Sequence, residues 1–532
     1  MRRLASSWLF ASLLALALPA LAQEEVGEVS FANSGSPAAQ EPFLRGLALL
    51  HNFEYPDAAE RFRKAQSIDP DFAMAYWGEA MTYTHPVWFQ QDLDAARAAL
   101  KKLGATPEER AAKAKTERER DYLRTLEVLY GDGSKEERDF RYSDAMALLH
   151  QRYPEDVDAT AFYALSLLGT AHQGRDFALY MRSAALLEEV FPTHRNHPGV
   201  LHYLIHSYDD PVHAPLGVRA ARLYGKVAPN APHALHMTSH IFVALGQWDA
   251  VIDANQQAVS VVDRRRAAKG QPPRTCYHYG SWLYYGFLQE HRFDDARRHL
   301  AACRQEAQRE IAGGPKGATG DFSIVNSWVE MRLFDFAETG RWEAVDGIDL
   351  PAGRYLDTKF MLAYGDALAA AAHGDRAVLR AAAVRLHEVH KVLLARIAKD
   401  KNKESVALER PYADLVVRQI DALATLKEGK KEAGIAELRR VAEAESAMPM
   451  EFGPPPIQKP SSELLGDELL ALGRNAEAEQ AYQAALARAP GRTHSLQGLL
   501  SAQQALGKTE AAERTQGQLR EYVREEKAAE IR

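Results

Sequence analysis

Apolar residues recur along this chain at intervals of three and four and almost nowhere alternate with period two. Those intervals put side chains on one face of an α-helix, so the pattern predicts helices throughout. Ala, Leu, Glu and Arg dominate the periodic stretches, and all four are good helix formers. Prolines fall mainly between the stretches, as at Pro70, Pro154, Pro192, Pro229, Pro351 and Pro490, and Asn-Gly hairpin signatures are absent. The expected fold class is all-α.

Two segments at opposite ends of the chain share one internal spacing. Gly46, Ala58, Phe62, Ala65 and Pro70 are separated by 12, 4, 3 and 5 residues, and Gly466, Ala478, Tyr482, Ala485 and Pro490 repeat those separations. Small residues let two antiparallel helices approach, an aromatic fills the gap, and a proline ends the second helix. The pattern resembles the tetratricopeptide repeat (TPR), a helix–turn–helix unit of 34 residues. The resemblance is clear at 41–70 and 461–490 and looser at 71–103, 197–230, 231–264 and 276–305. Segments 106–190 and 315–445 read as helix pairs of irregular length. It implies a right-handed α-solenoid of TPR-like antiparallel helix pairs, whose concave face is lined by the first helix of each pair.

Breaks in the periodicity suggest the organisation. Residues 23–40 form an N-terminal segment and 41–447 the solenoid, with a histidine-rich groove at 197–290. Met448–Pro460, containing Glu451-Phe452-Gly453-Pro454-Pro455-Pro456, cannot be helical. It is expected to be a fixed loop before a C-terminal TPR cap at 461–532, with a linker as the alternative. Arg264–Thr275, basic and proline-containing, reads as a connection between repeats.

The first 22 residues change the picture of where the protein works. Arg2 and Arg3 precede a short apolar run from Trp8 to Leu18, and Ala20-Leu21-Ala22 offers a small-x-small cleavage site. That is the form of a secretory signal cut after Ala22, so a periplasmic or secreted protein is expected. The run is shorter than the roughly 20 residues of a membrane span, and no later segment is long enough. Net charge is -7 over 532 residues, with both signs mixed along the chain. No basic stripe with interleaved aromatics occurs, which argues against nucleic-acid binding. The two cysteines, Cys276 and Cys303, make no CxxC or haem motif and no iron–sulfur set. They could pair in an oxidising compartment.

Candidate chemistry lies in the histidines. Eight of the 19 fall between His194 and His240. Two HxxxH pairs stand there, His202/His206 and His236/His240, and each histidine of the first recurs 34 residues later in the second. Residues i and i+4 share a helix face, and the repeat period gives both pairs the same direction from neighbouring helices. Four imidazoles are then expected to converge in the concave groove and ligate a transition metal such as zinc, copper or iron. Asp209 could serve as a ligand or orient a ring nitrogen. His278, opening the next repeat, could close the site, and Glu79 could face the same groove from the second repeat.

The stretches His197-Pro198-Gly199-Val200-Leu201-His202-Tyr203-Leu204-Ile205-His206 and His233-Ala234-Leu235-His236-Met237-Thr238-Ser239-His240 resemble a histidine-rich group of exported bacterial TPR proteins. So does Ala73-Met74-Ala75-Tyr76-Trp77-Gly78. The resemblance implies export and a histidine-rich segment, and no particular activity. No GxSxG elbow, Walker loop, dinucleotide fingerprint or HExxH is present. Two functions therefore stay open. One is a metal site in the groove, for metal handling or for a hydrolase or oxidoreductase reaction. The other is a metal-free scaffold that docks a peptide or a partner protein.

Overall fold

The computed structural model describes residues 25–313, 323–342, 350–351, 354–400, 403 and 406–523. The expected signal peptide, 1–22, lies outside the described residues. The protein is all-α, a right-handed solenoid of TPR-like antiparallel helix pairs with twenty-four α-helices among the described residues. The only strands among those residues are Thr84–His85 and Gln90–Gln91. They pair antiparallel across the short turn Pro86–Trp88, which packs against the helix Val157–Leu168.

The shared spacing of the two ends has a direct structural cause. In the first repeat, Pro37–His51 packs on Tyr55–Ile68, and the buried Phe62 ring is wedged between two glycines of flanking helices. A Cβ at Gly46 would lie 3.0 Å from that ring and one at Gly78 only 2.3 Å from it. In the C-terminal repeats Tyr482 sits the same way, 2.8 Å from a Cβ at Gly466 and 2.1 Å from one at Gly498. Any side chain at these glycines would push neighbouring helices apart by more than close packing tolerates. The second helix of each unit ends just before its proline, at Ile68 and Arg488.

Two expected boundaries shift. The helix beginning at Trp248 runs through the basic stretch to Ala268, because nothing before Gly270 breaks it. The connection is therefore shorter than Arg264–Thr275, and it leads into the helix His278–Gln289. The disulfide Cys276–Cys303 ties the start of that helix to its partner Phe293–Ala312. Residues 448–460 are not helical, but the apolar core does not stop there. One buried cluster includes Leu438, Val441, Ile457, Leu464 and Tyr482 and so crosses the loop.

The superhelix winds tightly enough for distant repeats to touch. Pro37–His51 packs against Pro198–Tyr208, and the Tyr224 hydroxyl donates to Asn52 Oδ1 at 2.7 Å. At the other end, the Trp248 indole donates to the Gly491 carbonyl at 3.1 Å. Arg492, fully buried, bridges Glu338 and Glu463 at 2.8 and 2.6 Å. These closures wrap the chain around a cleft of about 1030 Å³. No described helix is long and apolar enough to cross a membrane.

Candidate metal centre

Two first helices carry the histidines. Pro198–Tyr208 and Pro232–Ala244 each start with proline at the first helical position, where the missing N–H costs nothing. His197 caps the first helix, its Nδ1 accepting from the Val200 amide at 3.3 Å. Every residue of both helices is buried, so their histidines face other protein groups and not bulk water.

His202, His206 and His233 present ring nitrogens that all lie within 4.8 Å of one another. The Nε2 atoms of all three are buried and have no hydrogen-bond partner among the described residues. The tautomer of His202 is fixed. Its Nδ1 lies 2.6 Å from the His51 carbonyl oxygen, which can only accept, so Nδ1 carries the proton and Nε2 keeps its lone pair. Burial holds all three imidazoles well below the usual histidine range, and neighbouring histidines add to the effect for each. They are therefore neutral, the form that binds metal. Three unused imidazole nitrogens in a protein interior are costly as bare polar atoms and fit an imidazole-ligated cation.

His236 and His240 stand beside this triad, with His206 to His240 and His233 to His236 both 6.1 Å between ring centres. Their outer nitrogens are engaged: His236 Nδ1 with Asn255 Oδ1 at 2.7 Å and His240 Nδ1 with Asp209 Oδ2 at 2.5 Å. Their Nε2 atoms face each other at 3.1 Å. The four-histidine set expected from the HxxxH pairs is thus brought into one region, but the tight triad takes its third member from His233. Thirty-four residues before His233 stands Gly199, so repeat phase gave no signal for it.

The remaining expected residues are placed as follows. Asp209, at the end of Pro198–Tyr208, orients His240 as a carboxylate partner. His278 stacks edge-on to His236, with ring centres 4.6 Å apart, and burial pushes it down to about 3. The Glu79 carboxylate is taken up by Lys102 at 2.8 Å and Gln66 at 2.7 Å, with Arg63 at 3.4 Å, none of them from the histidine cluster.

Two other groups could hold a metal by proximity alone, and the proton pattern excludes them. His51 Nε2 and His197 Nε2 converge on Asp158 Oδ1 at 2.9 and 3.3 Å. His197 Nδ1 accepts from an amide and His51 Nδ1 lies 2.9 Å from the Tyr203 hydroxyl. Both Nε2 atoms therefore donate to the carboxylate and have no lone pair to offer. Cys276, His299 and Cys303 also lie close together, but the sulfurs are joined in the disulfide.

Aromatic residues cover the centre from far along the chain. Phe53, in the turn after the first helix, adopts a left-handed backbone with φ 56°, an unusual conformation for a bulky residue. Its ring lies 4.3 Å from that of His202, 5.8 Å from His206 and 5.7 Å from His233. From the proline-rich loop, Phe452 lies 5.3 Å from His240. Gly453 fits flat on Trp282, where a Cβ would be 2.2 Å from the indole. Phe53, His233, His278, Trp282 and Phe452 all line the cleft, together with Arg175 and Glu451. Burial pushes the Glu451 carboxyl up to about 7 against the opposing pull of Arg175. Nothing in sequence spacing ties Phe53 or Glu451 to the histidines.

The fold and site together define a TPR-like solenoid wrapped around a buried histidine centre. No family model and no curated protein matches the chain. Solved structures similar to it include the Cut9–Hcn1 hetero-tetramer of the APC/C, over 89% of this chain and 78% of that one. The identity there is 11% and the TM-score 0.35. A monomeric mutant of IFIT1 with Gppp-AAAA is similar over 92% of each chain, with 11% identity and a TM-score of 0.20. At such scores the paths of the chains differ, and the assignment to TPR-like pairs stands on the internal helix packing described above.

Proposed function

We propose that this is an exported solenoid that holds a transition-metal ion on His202, His206 and His233, at the inner wall of a cleft that admits a small molecule or an extended peptide. The observation that carries the reading is the set of three buried, neutral imidazoles whose Nε2 atoms have no other use. Three protein ligands leave a coordination position for water or substrate, as in catalytic and not structural zinc sites. His233 lines the cleft, and Glu451 is a carboxyl poised near neutrality on the same cleft. These features favour a metal-dependent hydrolase or oxidoreductase over simple storage, and imidazole ligands suit zinc, copper or iron.

The test is elemental analysis of protein purified from the periplasm without a histidine tag, beside the His202→Ala/His233→Ala double variant. Near-stoichiometric metal in the wild type, lost from the variant, is the expected result. If the wild type holds none after incubation with zinc and copper, the metal reading falls. The second reading then takes its place: a metal-free scaffold whose cleft docks a peptide or partner. The apolar and aromatic lining of the cleft (Tyr55, Trp88, Tyr279, Trp282 and Tyr412 among it) favours that alternative, as does the general use of solenoid concave faces for binding.

A further inference from the structure

The geometry points to a second metal position, on the Nε2 atoms of His236 and His240, which would make the centre binuclear; this rests on the reading of the neighbouring triad as a metal site. The inference starts from a proton count. His236 Nδ1 faces Asn255 Oδ1 at 2.7 Å, while the Asn255 amide nitrogen donates to the Val251 carbonyl at 2.8 Å. The Asn255 oxygen is therefore the acceptor and His236 Nδ1 the donor, so His236 Nε2 carries a lone pair. His240 Nδ1 faces the Asp209 carboxylate at 2.5 Å and donates to it in the same way. In neutral rings both Nε2 atoms then bear lone pairs, and they point at each other across 3.1 Å. Such a contact is repulsive unless something positive lies between them.

Either a proton or a metal ion can supply that charge, and 3.1 Å fits an N–H···N bond and two ligands of one ion alike. The choice of the ion rests on the held outer nitrogens and the adjoining triad. Two imidazole nitrogens bound to one ion at about 2.0–2.1 Å stand about 2.9–3.4 Å apart for angles between square and tetrahedral. The observed separation lies inside that range. The surroundings match as well. Both outer nitrogens are held by a carboxylate and an amide oxygen, the arrangement that fixes ligand rings and raises their basicity at metal sites. Asp209 Oδ1 is buried with no hydrogen-bond partner among the described residues. The pair is distinct from the triad, because no third ligand atom of the triad completes a tight group with it, yet it adjoins the triad through His206 and His233. Two adjacent ions can hold both the attacking and the leaving oxygen of a displacement.

The experiment is zinc stoichiometry of the full chain, measured after loading and gel filtration, with folding of each variant followed by circular dichroism. Wild type is expected to retain about two equivalents, and His236→Ala/His240→Ala about one. Asp209→Asn, which keeps the shape of the site, is expected to weaken only the second equivalent, by about 10- to 100-fold in chelator competition. Wild type with one equivalent, unchanged in the His236→Ala/His240→Ala variant, would overturn the second site and leave the triad standing, with an imidazolium proton between the rings. One equivalent lost equally from the pair variant and from His202→Ala/His233→Ala would mean a single shared ion, which also overturns it. No zinc in any form would remove both readings together.

Discussion

His202 donates its Nδ1 proton to the main-chain carbonyl of His51, 151 residues earlier in the chain, at 2.6 Å. That bond sets which nitrogen of His202 is free, and it reaches the central helix from the last turn of the first one. His51 is in turn held by Asp158 and Tyr203 at 2.9 Å each. The site is therefore oriented by a repeat that supplies no ligand.

Asp158→Ala tests this support. The substitution leaves two buried imidazole N–H groups without an acceptor, and it is expected to destabilise the protein by about 3 kcal/mol. Loosening His51 should also weaken metal binding by about tenfold. Urea denaturation and chelator competition measure the two effects. Loss of stability with unchanged affinity would show that the His51 carbonyl does not position His202.

Stability should fall in acid because of the same burial. Burial lowers His51 to about 4 and His278 to about 3, and it holds His202, His206, His233 and His236 well below the usual histidine range as well. The unfolded chain takes up protons near pH 6.5 while the folded one does not. The stability these groups confer is complete above pH 6.5 and drains as pH falls below it, by up to about 1.4 kcal/mol per pH unit for each group. Bound metal acts in the same direction, since protons compete with it. A urea midpoint that stays level from pH 7 to 5 would contradict this.

Glu451 runs the other way. Its folded value of about 7 lies above the ordinary glutamate value of 4.5, so its contribution falls as pH rises from about 4.5 to 7. Glu451→Gln should remove that slope and stabilise the protein at pH 8 by about 1 kcal/mol. If the protein is a hydrolase, activity should also lose its pH limb near neutrality. Equal urea midpoints for wild type and variant at pH 8 would show that the carboxyl is not held near neutrality by burial.

Phe53→Ala opens the cover over the triad. The lost packing is expected to cost about 3 kcal/mol, and the left-handed backbone stays strained because alanine keeps the Cβ. More telling is access: metal should exchange with a chelator at least about tenfold faster, because Phe53 lies over all three imidazoles. Unchanged exchange would mean that ions enter by another path.

Arg492→Met tests the closure of the superhelix. Glu338 and Glu463 would lose their shared counter-charge in the interior, although Lys459 still lies 3.0 Å from Glu463. A destabilisation of about 3–5 kcal/mol is expected, with the C-terminal repeats released first in hydrogen exchange. Uniform exchange along the chain would show that the contact does not clamp those repeats to the body.

Much of this architecture is local chemistry and so can be read along the chain. Helical periodicity, the proline stops and the Gly46/Phe62 and Gly466/Tyr482 wedges depend on neighbours within about 34 residues. The two HxxxH pairs are legible for the same reason, since repeat phase alone brings His202, His206, His236 and His240 to one side of adjacent helices. What the repeat does not encode had to come from the winding of the whole superhelix. His233 has no counterpart one period earlier, and its partnership with His202 and His206 depends on the stagger between helices. Phe53, Glu451 and Phe452 reach the centre from opposite ends, and the His51 carbonyl is a backbone atom whose role no side-chain pattern announces. Local spacing determined which residues share a helix face. Only the closed path of the solenoid decided which faces meet, because long-range packing is the sum of many small rotations between repeats.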